Sequence, residues 1–190
     1  TAGFQLKDAE GRLVYYEDQL RDMVVKALAM HARWQIRKLA QYGLPVIMFV
    51  DEPGVGVYGK STHITVTREM ILEDLNAIAD AILIENGIPG VHSCDAIDWT
   101  LLFESKIEVV SLDVYNFGQS LIPTARELKL YLERGGVMAW GIVPTNESAS
   151  NENAETLIKR LNDVWFELEK RGVDRDLLVQ QSLITPACGA

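Results

Sequence analysis

The sequence predicts an α/β fold in which parallel strands alternate with helices that pack outside the sheet. Two observations carry this prediction. Short, continuous apolar runs, typical of strands buried on both faces, alternate with longer segments whose apolar residues recur near the helical period of about 3.6 residues. About five such units follow one another without an internal repeat or a low-complexity linker, so residues 1–190 are expected to form a single domain.

The first half of the chain predicts helix, strand and helix in that order. Apolar residues in 17–42 follow the helical period, and Gly43 stands just past the last of them, where a helix commonly ends. Residues 45–50 form a continuous apolar run and predict a buried strand. After a glycine-rich loop, residues 68–86 predict a second helix, which Gly87 terminates.

The second half continues the alternation. Pro123 near a first helical turn and a Gly-Gly pair at 135–136 delimit one of its helices. Both an open doubly wound sheet and the later part of a TIM-type (β/α)8 barrel fit, since a closed barrel needs eight units in typically about 250 residues. The predicted elements are strand 91–94, helix 99–104, strand 108–114, helix 125–133, strand 137–143, helix 152–171 and strand 176–184.

The composition and net charge limit the classes of binding partner that the sequence predicts. A formal net charge of −9 argues against nucleic acid, which requires clustered Lys and Arg. No apolar run approaches the roughly 18 residues that span a bilayer, and no polybasic patch suits a membrane surface. Two cysteines do not make a disulfide framework, which favours a reducing, cytoplasmic location. A small molecule or another protein remains as the expected partner.

Polar side chains of chemical interest come at the carboxyl ends of the predicted strands. Parallel α/β folds of either type place their active sites at this edge of the sheet. The sequence therefore predicts a functional site there. Its candidate residues are Asp51, Glu52, His92, Cys94, Asp113 and Cys188.

A zinc site is the first candidate chemistry. His92 and Cys94 are two residues apart, a spacing that puts both side chains on one face of a strand. With Cys188 arriving from another strand end, one imidazole and two thiolates supply most of a zinc coordination sphere, and Asp113 is the natural fourth ligand. The alternative is two buried core cysteines beside a hydrogen-bonded histidine.

Two loop motifs allow further interpretations. Asp51 and Glu52 follow the first strand, where a carboxylate either caps a turn or holds a substrate ammonium group. Residues 54–61 spell G-x-x-x-x-G-K-S, the phosphate-binding P-loop pattern, which makes a nucleotide-binding protein an alternative function. The β-branched residues that follow in 62–67 predict extended chain, whereas a P-loop lysine opens a helix.

Three motifs together resemble the catalytic domain of cobalamin-independent methionine synthase, in the uroporphyrinogen decarboxylase and methionine synthase superfamily. They are Asp51-Glu52-Pro53, His92-x-Cys94 and Pro186-Ala187-Cys188-Gly189. The resemblance covers nearly the whole chain and implies the later βα units of a (β/α)8 barrel. It further implies Zn²⁺ held by His92, Cys94 and Cys188, a thiol substrate such as homocysteine, and Asp51 on the substrate amino group.

The chain departs from that family at two positions. Asp113 stands where the family has a glutamate ligand, and Asn146 stands where it has a histidine that handles the folate donor. We therefore expect a methyl donor other than methyltetrahydrofolate, such as a corrinoid protein or another small methylated compound. A metal-free decarboxylase-like barrel or an inactive barrel fragment is the alternative. Open sheet edges predict a homo-oligomer or a companion chain that supplies the missing strands.

Overall fold

A computed structural model describes residues 2–51, 55–56, 58 and 66–188. The strands are β1 (Ile47–Asp51), β2 (Ile88–Ser93), β3 (Val109–Leu112), β4 (Val137–Val143) and β5 (Ser182–Pro186). The helices are α1 (Ala2–Gln5), α2 (Asp18–Leu39), α3 (Arg68–Ile84), α4 (Thr100–Glu104), α5 (Val114–Phe117), α6 (Ala125–Glu133), α7 (Ala154–Glu169) and α8 (Arg175–Gln180). Short 3-10 turns join several of them.

The strands form one five-stranded sheet in the order β1-β2-β3-β4-β5, and every neighbouring pair is parallel. This confirms the predicted α/β fold with a parallel sheet. The spatial order equals the chain order and never reverses. Each connection therefore steps to the next strand in the same direction, with helical segments in the crossovers.

The helices pack on one face of the sheet. Val110, Leu112, Met138 and Trp140 point into a large apolar core with α3, α4, α6 and α7. Between β1, α2 and α3 a second cluster contains Ile36 and neighbouring aliphatic side chains. Alternate residues of the same strands belong to neither cluster and face the other way. The sheet thus has a helix-covered face and an opposite face, called here the inner face.

The last predicted strand, over residues 176–184, is wrong at its start. The chain first forms α8, whose Asp174 cap accepts a hydrogen bond from the backbone N–H of Asp176 at 2.7 Å, and only then enters β5. Leu178 is fully buried on this helix, so packing stabilises a short helix in a stretch whose apolar residues also suit a strand. Among the described residues, no helix is long and apolar enough to cross a membrane.

Candidate metal centre

A histidine and two cysteines converge at the carboxyl edge of the sheet. One ring nitrogen of His92 and the Sγ atoms of Cys94 and Cys188 all lie within 4.8 Å of one another and could hold a metal ion. His92 belongs to β2, Cys94 directly follows this strand, and Cys188 comes two residues after β5. In a flat sheet, β2 and β5 would be about 14 Å apart, at about 4.8 Å per strand. The convergence therefore requires a curled sheet and an inward turn after β5.

The two ring nitrogens of the His92 imidazole have different surroundings. Its Nδ1 is 3.0 Å from Oγ of Ser111, which is its register partner on β3. The other ring nitrogen, Nε2, is buried and has no hydrogen-bond partner among the described residues. A buried polar nitrogen without a partner is costly. Metal-binding histidines commonly use one nitrogen for the ion and fix the other through a second hydrogen bond.

The two thiols lie side by side. Burial raises the pKa of the Cys94 thiol, and the neighbouring Cys188 and the Asp113 carboxylate raise it further. Without a cation, Cys94 therefore keeps its proton at neutral pH. A bound divalent ion would compensate two thiolate charges, so metal binding would release protons from this pair.

Cys188 reaches the centre because β4 and β5 approach closely at Gly141. A Cβ atom at Gly141 would lie 2.6 Å from the carbonyl oxygen of Leu112 and 2.8 Å from that of Pro186. The pairing of β4 with β5 shifts register just beyond Gly141, and the N–H of Ala187 then donates to the carbonyl of Val143 at 2.8 Å. The missing side chain thus lets the segment before Cys188 fold against β4.

Asp113 lies beside the centre but is held by other partners. It is buried and caps α5, where Oδ1 accepts the backbone N–H of Asn116 at 2.9 Å and Oδ2 accepts the Asn116 side-chain amide at 2.6 Å. Its carboxylate is not part of the group whose donor atoms lie within 4.8 Å. Its ligation of a metal stays a prediction.

The structure describes only some of the other predicted site residues. Asp51 ends β1, is exposed, and is the register partner of His92, so its backbone is next to the centre. Glu52 lies outside the described residues, as do most positions of the 54–61 motif. Asn146 follows β4 and accepts the N–H of Ser148 at 2.9 Å, which caps a 3-10 turn.

Three residues of the site escaped the sequence-based prediction. Ser111 and Gly141 acquire their roles through strand pairing, although each interrupts an apolar strand with a small residue. Thr185 lies on the inner face of β5 opposite Gly141, and its Oγ1 is buried without a hydrogen-bond partner among the described residues. A second orphaned polar atom on this face indicates space for a polar ligand group or water.

Comparison with protein-family models, with curated proteins and with solved structures finds no match to this chain. The interpretation of the centre rests on its own residues.

Replacing Ser111 with alanine is expected to weaken zinc binding by about 10- to 100-fold, because His92 loses the hydrogen bond that fixes its ring. Competition with a chromophoric chelator measures the change. Ser111→Thr keeps the hydroxyl and should restore most of the affinity. Equal affinities for the alanine variant and the wild type would show that Ser111 does not orient the ligand.

Proposed function

We propose that this chain is a zinc-dependent methyltransferase acting on a small thiol such as homocysteine, built on the later units of a (β/α)8 barrel. The observation that carries the proposal is the convergence of His92, Cys94 and Cys188, with a bare Nε2 on the imidazole. Two sulfurs and one nitrogen form a donor set that Zn²⁺ favours. Three protein ligands are typical of catalytic zinc sites, in which a further position takes water or substrate.

The sheet topology supports the barrel. Five parallel strands in chain order, with helices on one face, are what consecutive units of a barrel display. An open doubly wound sheet reverses its strand order and carries helices on both faces. On the inner face, one cross-strand row places His92 of β2 next to Ser111 of β3 and Ala139 of β4, so small side chains lie beside the histidine.

A bound zinc ion supplies a Lewis acid that lowers the pKa of a substrate thiol and favours its thiolate form. The protein contributes the geometry. Ser111 fixes the ring of His92, and Gly141 admits the backbone that carries Cys188. Asp51, beside His92 at the end of β1, offers an exposed carboxylate to the ammonium group of an amino-acid substrate.

The residue that follows β4 supports a methyl donor other than methyltetrahydrofolate. Asn146 uses its side-chain oxygen to cap a turn, and an amide does not relay a proton at neutral pH. A donor that requires protonation of its leaving nitrogen, as methyltetrahydrofolate does, therefore lacks a partner at this position. A corrinoid, whose cobalt leaves without a proton, fits better.

The test combines metal content, thiol binding and turnover. Purified, unchelated protein should contain about one zinc per chain, and the cobalt-substituted form should gain sulfur-to-cobalt absorption when homocysteine is added. Mass spectrometry should then detect methionine with methylcobalamin as donor and little with methyltetrahydrofolate. Absence of zinc would favour the metal-free decarboxylase-like barrel. Zinc without any response to the thiol would contradict the proposed substrate.

A further inference from the structure

The chain contains two cysteines, and the fold brings their sulfur atoms together. The Sγ atoms of Cys94 and Cys188 lie within 4.8 Å of each other, and both cysteines are free thiols. The sequence has no third cysteine, so a disulfide within the chain can join only these two. Two adjacent thiols have two chemical states, a dithiol whose thiolates bind metal ions and a disulfide that has lost both thiolates.

The cysteine pair is accessible from solvent. Cys94 is exposed and Cys188 is half-buried, whereas cysteines that only fill a core are buried. The susceptibility of a cysteine to oxidation follows the exposure of its sulfur and the fraction present as thiolate. A small oxidant in solution can therefore reach this pair.

Both cysteines lie in irregular chain just beyond the end of a strand. β2 ends at Ser93, directly before Cys94, and β5 ends at Pro186, two residues before Cys188. Two sulfurs on one tetrahedral zinc ion are about 3.8 Å apart, at about 2.3 Å per ligand, and the sulfurs of a disulfide are about 2.05 Å apart. We expect rotation of the two side chains and small shifts of these segments to reach either distance while the strands stay paired.

We propose that Cys94 and Cys188 form a reversible redox switch, in which oxidation to a disulfide empties the metal centre and reduction restores it. The inference rests on the zinc binding of the proposed function and not on the methyl transfer. A disulfide removes both anionic sulfurs, so that the imidazole of His92 is the one donor left of the three that converge. A single nitrogen ligand does not retain a zinc ion against water.

The oxidant is a hydroperoxide such as hydrogen peroxide. One cysteine sulfur attacks the O–O bond and becomes a sulfenic acid, and water leaves. The second sulfur then attacks the sulfenic sulfur, forms the S–S bond and displaces another water molecule. The pair has thus given two electrons and two protons to one peroxide; from the zinc-bound form, solvent supplies the two protons and Zn²⁺ is released. A small dithiol reverses the reaction and is itself oxidised to a disulfide.

Treatment of the metal-free and the zinc-loaded protein with hydrogen peroxide tests the switch. Burial raises the pKa of the Cys94 thiol, so a mildly alkaline buffer is used to supply thiolate. The wild type should lose two hydrogen atoms by intact mass and both reactive thiols by titration, without an intermolecular disulfide. The zinc-loaded form should release one zinc ion per disulfide to a chromophoric chelator. Dithiothreitol should restore both thiols and the zinc affinity.

Three variants separate the disulfide from the metal. Cys94→Ser and Cys188→Ser each keep one thiol and should gain oxygen or form intermolecular disulfides, since no partner sulfur resolves the sulfenic acid. His92→Asn is the matched control, because it keeps both thiols and removes only the imidazole. It should form the disulfide as the wild type does, although its zinc affinity should fall at least about 100-fold.

Thermal unfolding gives an independent readout. Added zinc should raise the melting temperature of the reduced wild type and leave that of the oxidised wild type unchanged, since an ion stabilises only a chain that binds it. Zinc loading is verified before peroxide is added, and a failure to load would contradict the proposed function and the switch together. Normal loading followed by oxygen adducts, by intermolecular disulfides or by zinc retained on the oxidised chain would overturn the switch alone.

Discussion

Cys188→Ser is expected to abolish stoichiometric zinc binding and to leave the fold intact. Serine has nearly the same shape as cysteine, but its hydroxyl stays protonated at neutral pH and does not replace an anionic sulfur ligand. Loss of a hydrogen-bonding partner behind a ligand already costs about 10- to 100-fold in affinity, so loss of the ligand should cost at least about 100-fold. Chelator competition and elemental analysis after dialysis measure both affinity and stoichiometry.

Ser93→Ala is the matched control for this substitution. Ser93 is adjacent to Cys94 and its buried Oγ has no hydrogen-bond partner among the described residues, so its removal should leave zinc affinity unchanged. Zinc should also stabilise the wild type against urea, by about 2.7 kcal/mol when its free concentration is 100 times the dissociation constant. The serine variant should show no such gain. If it retains one tightly bound zinc per chain, the centre does not use Cys188.

The sequence was informative wherever a local pattern decides the structure. Apolar runs located most of the strands, and the two-residue spacing of His92 and Cys94 placed both at the same strand end. The short helix α8 was missed because the Asp174 cap and the burial of Leu178 outweigh the strand-like character of its apolar residues. That competition is settled by tertiary packing, which a local pattern does not contain.

The remaining features of the centre depend on register and curvature. Ser111 becomes the partner of His92 only through the pairing of β2 with β3. Cys188 reaches Cys94 only because the sheet curls across two intervening strands. The sequence identified the ligand types and their strand ends, whereas the residues that aim those ligands emerge from how the strands pair.

Gly141→Ala is expected to lower both the stability of the protein and its affinity for zinc. The added Cβ would meet three atoms of the main chain, at 2.6 Å from Leu112 O, 2.8 Å from Pro186 O and 2.9 Å from Ala187 Cα. Backbone atoms do not rotate away, so the end of β5 must move and carry Cys188 with it. Overpacking of this kind costs about 1–3 kcal/mol, which urea denaturation measures. Zinc affinity should fall by at least about 10-fold, as for other disturbances of ligand orientation.

Gly90→Ala is a stringent control because Gly90 lies on the same inner face, two residues before His92. There the new Cβ would meet the ring of Phe49 at 2.8 Å, and this side chain is 40% exposed, so the contact is with a side chain and not with the main chain. We expect a small loss of stability and near-normal zinc affinity.

A second measurement distinguishes an effect of Gly141→Ala on the sheet from an effect on the position of the Cys188 ligand. If Gly141→Ala acts by displacing Cys188, its deficit in unfolding free energy must grow when zinc is added, since the ion stabilises only a chain that can still bind it. An equal deficit with and without zinc would show that the close approach at Gly141 serves the sheet alone.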